Sequence, residues 1–129
     1  MSPAASFVAA FVVTLALLGG VVASGIRGRR RQHVALVAGA LASLGVTILL
    51  AYRLGDLYDL EAAGAITPVH MSIARVATAS YLLPLATGIL TWRDARWRRL
   101  HLVCAITALT LTVIAAATGT AMIAAAPAR

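Results

Sequence analysis

The chain has 129 residues, 61% of them hydrophobic and 12% charged, whereas a soluble domain carries about 25% charged residues, so most of its surface must face lipid. Its net charge of +7 comes from 11 basic residues, all arginine, set against Asp56, Asp59, Glu61 and Asp94. Eight of the arginines fall in two short segments between apolar runs, where positive-inside bias and anionic headgroups account for them, so nucleic acid is not an expected partner. The single cysteine, Cys104, excludes intrachain disulfides, a CxxC redox pair and a cysteine-rich metal site.

A first span is predicted over about Ala4–Ile26, without a charge and long enough for the roughly 30 Å hydrocarbon core. It lacks the basic start of a secretory signal, and the arginines after it would hold its end inside, so it reads as retained. The segment Arg27-Gly28-Arg29-Arg30-Arg31-Gln32-His33 follows. A second span is predicted over about Val34–Tyr52, then an external loop from Arg53 to Thr67 that holds three of the acids. Thr67 as N-cap and Pro68 at the first helical position open a third span ending near Trp92, with a kink expected at Pro84. The second arginine-rich segment, Trp92-Arg93-Asp94-Ala95-Arg96-Trp97-Arg98-Arg99, places two tryptophans at headgroup depth. A fourth span is predicted over about His101–Ala126.

These elements predict an all-α membrane protein, a single transmembrane domain of four helices in two tandem hairpins. Both termini are expected on the non-cytoplasmic side, because the two inner loops hold eight arginines and the outer loop and C-terminal tail only Arg53 and Arg129. Small residues should mediate packing: Ala35, Gly39 and Ser43 on helix two, Ala115 and Gly119 on helix four.

The halves share a pattern. Arg30-Arg31-Gln32-His33 opens helix two and Arg98-Arg99-Leu100-His101 opens helix four, 68 residues later, with Gly20 and Gly88 at the same offset. As real repeats the hairpins would be related by a pseudo-two-fold axis along the membrane normal, with His33 and His101 at one depth. Positive-inside charge would also place arginines in both loops independently. On the sharper reading, two imidazoles ligate haem b, with Arg30, Arg31, Arg98 and Arg99 near the propionates.

At the other end, His70 lies in the first turn of the third span and Arg75 deeper in it. His70, Ala74, Ala77 and Tyr81 share a helical face, so Tyr81 continues a polar stripe inward. Arg75 is expected to snorkel to Asp56, Asp59 or Glu61, or to mark a functional charge within the membrane. Met122 stands 21 residues beyond His101, about 31 Å along the helix at about 1.5 Å per residue, near the depth of His70. His70, Met71 and Met122 would form a soft site for copper or haem; methionine in an apolar helix is also ordinary filler. No acid lies within a span, which disfavours proton-coupled cation export. No nucleophile with a convergent base, phosphate loop or zinc-spaced cluster occurs, so an enzyme is not expected.

Val37-Ala38-Gly39, the Tyr52-Arg53 exit, His70 early in helix three, and His101 leading to Thr118-Gly119 together resemble the domain-of-unknown-function 420 family. These are small four-helix bacterial membrane proteins that include the cytochrome-oxidase maturation protein CtaM. The resemblance spans about Arg29 to Met122; the chain departs from it in the position of the first histidine, in the distance from His70 to His101, and in lacking a tryptophan in the last helix. It implies a bacterial inner-membrane protein of respiratory metabolism, without catalysis of its own, that assists a haem–copper oxidase or related electron-transfer complex as assembly factor or accessory subunit. Two other readings stay open: a small b-type haem cytochrome with ligands His33 and His101, and a purely structural subunit of a larger membrane complex.

Overall fold

The computed structural model describes residues 2–129. It is all-helical: α1 Pro3–Ile26, α2 Arg30–Gly55, α3 Ile66–Ser80, α4 Leu82–Arg93 and α5 Arg98–Ala125, with one 3-10 turn at Ala95–Trp97. Four helical segments are long and apolar enough to cross a membrane, α3 and α4 together forming one, Ile66–Arg93. By helix length and composition this is a multi-pass membrane protein. The chain divides into two compact units, Met1–Tyr58 and Asp59–Arg129. The first is the hairpin α1–α2; in the second, α5 packs against both α3 and α4.

The turn between α1 and α2 is set by Gly28, at φ +67°, a conformation that glycine adopts without a Cβ penalty. The Arg29 N–H donates to the Ser24 carbonyl at 3.0 Å and the Gly28 N–H to that of Gly25 at 3.2 Å, the paired bonds of a Schellman C-terminus. The return helix starts at Arg30, earlier than the expected Val34, and runs past Tyr52 to Gly55. Arginine is a good helix former whose charge can leave the apolar zone on its long stem, so hydropathy marks the hydrocarbon and not the helix end.

The α2 face against α1 follows alternating three- and four-residue steps, His33, Leu36, Ala40, Ser43 and Thr47, as expected of antiparallel packed helices. Ala35 is exposed, so the expected Ala35–Gly39–Ser43 stripe is displaced by part of a turn; Gly39 does face α1, at Leu17. A polar cluster holds the middle of this hairpin. The Thr14 hydroxyl lies 2.7 Å from that of Ser43 and 2.9 Å from that of Thr47, and it donates to the Ala10 carbonyl. Thr14 is almost fully buried.

In the second unit the loop before α3 is tied down locally. The Asp59 carboxylate accepts from the N–H groups of Glu61 and Ala62, and the Asp59 N–H donates to the Pro127 carbonyl at 2.9 Å. Thr67 is not the N-cap. Ala65 holds that position without a side-chain bond, and the Thr67 hydroxyl donates back to the Leu60 carbonyl; with Gly64 at φ +73° the helix begins two residues early. The third span breaks at Tyr81 between α3 and α4. Pro84 causes this: it has no N–H for the Ser80 carbonyl, and its ring crowds that oxygen. Before α5, the Asp94 carboxylate caps the 3-10 turn at the Arg96 N–H and pairs with the Arg96 guanidinium at 2.7 Å.

Thr14→Val keeps the volume and removes the shared hydroxyl. We expect it to cost the hairpin about 1 kcal/mol, the scale of interhelical hydrogen bonds in membrane proteins, in reversible detergent unfolding. Thr110→Val, on an exposed face of α5, should be near neutral.

Candidate functional site

A subset of the second unit's polar side chains, His70, Tyr81, Thr87, His101, Thr112 and Thr118, meets at the seam between α5 and its two partners. Ala77 and Ala108 are nearly inaccessible and let the backbones approach. Tyr81, freed to turn inward at the helix break, has its hydroxyl 2.7 Å from that of Thr112. The Thr112 hydroxyl also lies 2.8 Å from the Ala108 carbonyl of its own helix. The predicted stripe His70–Ala74–Ala77–Tyr81 is therefore a seam, with Ala77 at its centre.

Each of the three histidines meets its partner within its own unit. His33 Nδ1 lies 2.9 Å from the Val21 carbonyl and 3.3 Å from the Ser24 hydroxyl. His101 Nδ1 lies 3.2 Å from the Thr87 hydroxyl, and His70 Nδ1 3.1 Å from that of Thr118, with the Ala115 backbone also in reach of the His70 ring. Each ring also rests against the glycine that follows the hydroxyl residue. A Cβ built on Gly25 or Gly88 would stand 3.3 Å from the Cε1 of His33 or His101, and one on Gly119 only 2.8 Å from that of His70.

The same hydroxyls also lie within hydrogen-bond reach of carbonyls of their own helices: Ser24 of Val21, Thr87 of Leu83, and Thr118 of Ile114 and Ala115. What the arrangement does chemically is orient an imidazole, as the outer partners of metal-bound histidines do.

Of the shared pattern, His33 and His101 each meet a Ser/Thr-Gly pair of the preceding helix, but the two glycines at equal offset do not correspond. Gly88 touches His101, whereas Gly20 lies against Leu36 and the glycine of His33 is Gly25. The two turns differ in length, so equal offsets in sequence are not equal places in the hairpins. Sequence reading passed over Ser24, Thr87, Thr112 and the Thr14 cluster; the signal available was a Ser/Thr-Gly pair for every histidine.

Arg30 and Arg31 lie in the first turn of α2, and Arg98 and Arg99 in the first turn of α5, all exposed. Beside the latter, Arg96, Trp97, Arg99, Leu100 and Val103 line an open groove of about 620 Å³. His101 and Thr118 sit at opposite ends of α5, about 26 Å apart at about 1.5 Å per residue. Met122 is buried at the seam, one turn beyond Thr118, and Met71 is half-buried beside His70. Arg75 is exposed on α3, and among the described residues the ion pair present is Arg96–Asp94, so the expected pairing of Arg75 with Asp59 or Glu61 is not formed. Among the described residues no group of three or more His, Cys, Asp or Glu is gathered for a metal.

Comparison with known protein families, with curated proteins and with solved structures finds no match to this chain.

Gly119→Ala places a methyl against an imidazole that is held by Thr118. We expect it to cost about 1–3 kcal/mol, the range for overpacking a filled site, whereas Gly45→Ala, with nothing within 4 Å, should not destabilise. Thermal unfolding of the two variants in one detergent tests this.

Proposed function

We propose that the chain is a non-enzymatic membrane protein of respiratory metabolism that acts beside a haem–copper oxidase or a related electron-transfer complex, as assembly factor or accessory subunit. The observation that carries this reading is the way the histidines are held. Three imidazoles, each set at Nδ1 against a hydroxyl or carbonyl of the opposing helix, have the outer-shell support usual for histidines that coordinate a metal centre. The likeness to the domain-of-unknown-function 420 family supports it in a specific way. Two elements of that likeness, His70 and Thr118-Gly119, are far apart in sequence and touch in the fold.

The donor set fits the cofactors such a role would handle. For haem b, His33 and His101 offer imidazole nitrogens, and Arg30, Arg31, Arg98 and Arg99, in the same helical turns, offer guanidiniums to propionates. Bound haem would supply one-electron redox chemistry. For copper, His70 with Met71 and Met122 offers nitrogen and thioether donors. The arginines also bear on orientation: basic residues in a helix's first turn oppose its macrodipole, so their placement serves the membrane surface or an anionic ligand. On this reading the arginine-rich helix starts face the cytoplasm from a bacterial inner membrane, and oxidase or related subunits are the partners in the bilayer.

Deleting the gene and recording oxidase spectra and respiration tests this function. We expect loss of haem or copper from the oxidase and several-fold lower oxygen uptake; normal haem content and respiration would reject the reading. A second reading, a small b-type haem protein, is favoured by the arginine pairs that precede His33 and His101. It requires the purified protein to show a dithionite-reducible Soret band that His101→Ala abolishes, and a folded, colourless preparation rules it out. Alanine tolerated at all three histidines would point to a structural subunit.

A further inference from the structure

The open groove of about 620 Å³ at the start of α5 is lined by Arg96, Trp97, Arg99, Leu100 and Val103. Arg99, Leu100 and Val103 share one exposed face of α5 by their three- and four-residue steps, and Arg96 stands one turn before them in the 3-10 turn. His101 lies about 200° round the helix from Arg99, at about 100° per residue, on the side that meets Thr87 of α4. The groove is therefore on the outer face of this helix and separate from the seam. Arg98, about 60° from His101 by the same spacing, stays on the histidine side.

We propose that this groove binds one anionic phospholipid, its phosphate held by Arg96 and Arg99 and an acyl chain laid over Leu100 and Val103. The order of residues along the groove is the first reason. Two guanidiniums come before two exposed aliphatic side chains. Over about 10 Å of helix the surface thus passes from charged to apolar, as a phospholipid passes from headgroup to chain. The half-buried Trp97 stands at the transition, the depth its amphipathic ring prefers.

Charge and preorganisation are the second and third. Arg93, Arg96, Arg98 and Arg99 stand against one acid, Asp94; an anionic headgroup offsets that excess and a zwitterionic one leaves it in place. Arg96 is positioned before any lipid arrives. Its Nε lies 2.7 Å from the Asp94 carboxylate, and its guanidinium carbon is 5.8 Å from the Trp97 ring centre. The ion pair uses the Nε edge, so the terminal nitrogens remain for phosphate oxygens. Arg99 is exposed and, among the described residues, forms no ion pair. The other arginine-rich turn, with Arg27, Arg29, Arg30 and Arg31, has as many guanidiniums but neither a tryptophan nor an acid to order one. Charge alone would favour that turn; the built order favours the groove. A soluble polyanion would leave the exposed Leu100 and Val103 without a partner.

The test uses the full chain in phosphatidylcholine vesicles, into which phosphatidylglycerol with brominated acyl chains is titrated while tryptophan fluorescence is read. Bromine quenches an indole only at close contact. Quenching should exceed that by brominated phosphatidylcholine at equal mole fraction, with a preference of about fivefold. The excess should vanish in Trp97→Phe, which leaves Trp92 as the only indole. Arg99→Gln should lower the preference about fivefold, and Arg29→Gln, the same charge change in the other turn, should keep it. Equal quenching by the two lipids in the unaltered protein overturns the site, and that comparison needs no variant to fold. Equal losses in Arg99→Gln and Arg29→Gln reduce it to diffuse surface charge and overturn it too, as does an excess that survives in Trp97→Phe. Reversal of the excess by sodium phosphate, but not by sodium chloride of the same ionic strength, shows recognition of phosphate alone and overturns the lipid assignment.

Discussion

A hydroxyl has one proton, and inside a hydrocarbon layer it must be directed to a partner within the protein, because no water is there to take it. Nearly every seam hydroxyl of this chain directs it to a carbonyl of its own helix, as Thr14, Thr47, Thr87, Thr112 and Thr118 do. The consequence reaches across the seam. The same oxygens also meet side chains of the opposing helix, the Tyr81 hydroxyl at Thr112 and the Nδ1 of His101 and His70 at Thr87 and Thr118. One set of hydroxyls thus serves both its own backbone and the ring or phenol across the seam.

The same device is built on two different turns. In the first unit the Schellman turn at Gly28 brings α2 back so closely that His33 lands on Gly25, the residue whose carbonyl the turn also uses. In the second the wider connection through Asp94 and the 3-10 turn sets His101 against Gly88. His70 reaches its seat from the other end of α5, across the whole length of the unit. Turn chemistry therefore decides which glycine each ring meets, and glycine decides how near it comes.

Four spans, their hairpin pairing and the proline break were legible because they rest on run length, arginine position and the missing N–H of Pro84. Helix ends were less so: Arg30–His33 reads as loop by hydropathy yet is helix, since arginine's stem tolerates both. Thr67 reads as a cap by type, but tertiary geometry carried its hydroxyl to Leu60. The histidines were visible as residues; their partners were not. A threonine in an apolar span reads as a tolerated small polar residue, and its role appears only when the opposing helix is in place. Counting Ser/Thr-Gly pairs against histidines would have revealed the correspondence, whereas the offset of Gly20 and Gly88 misled because it assumed equal turns.

The chemistry of the spans narrows what this architecture can do. A proton-translocating path needs groups that gain and lose charge within the membrane, and carboxylates are the usual ones. Here no acid enters a span, and the hydroxyls are engaged with carbonyls. What remains are imidazoles, each set at Nδ1 against a hydroxyl or a carbonyl of the opposing helix. A ring held at one nitrogen is fixed in orientation whichever chemistry its other nitrogen serves, since metal-bound and general-base histidines are both supported in this way. The bonds that set each ring are thus among those that tie the helices of its unit together.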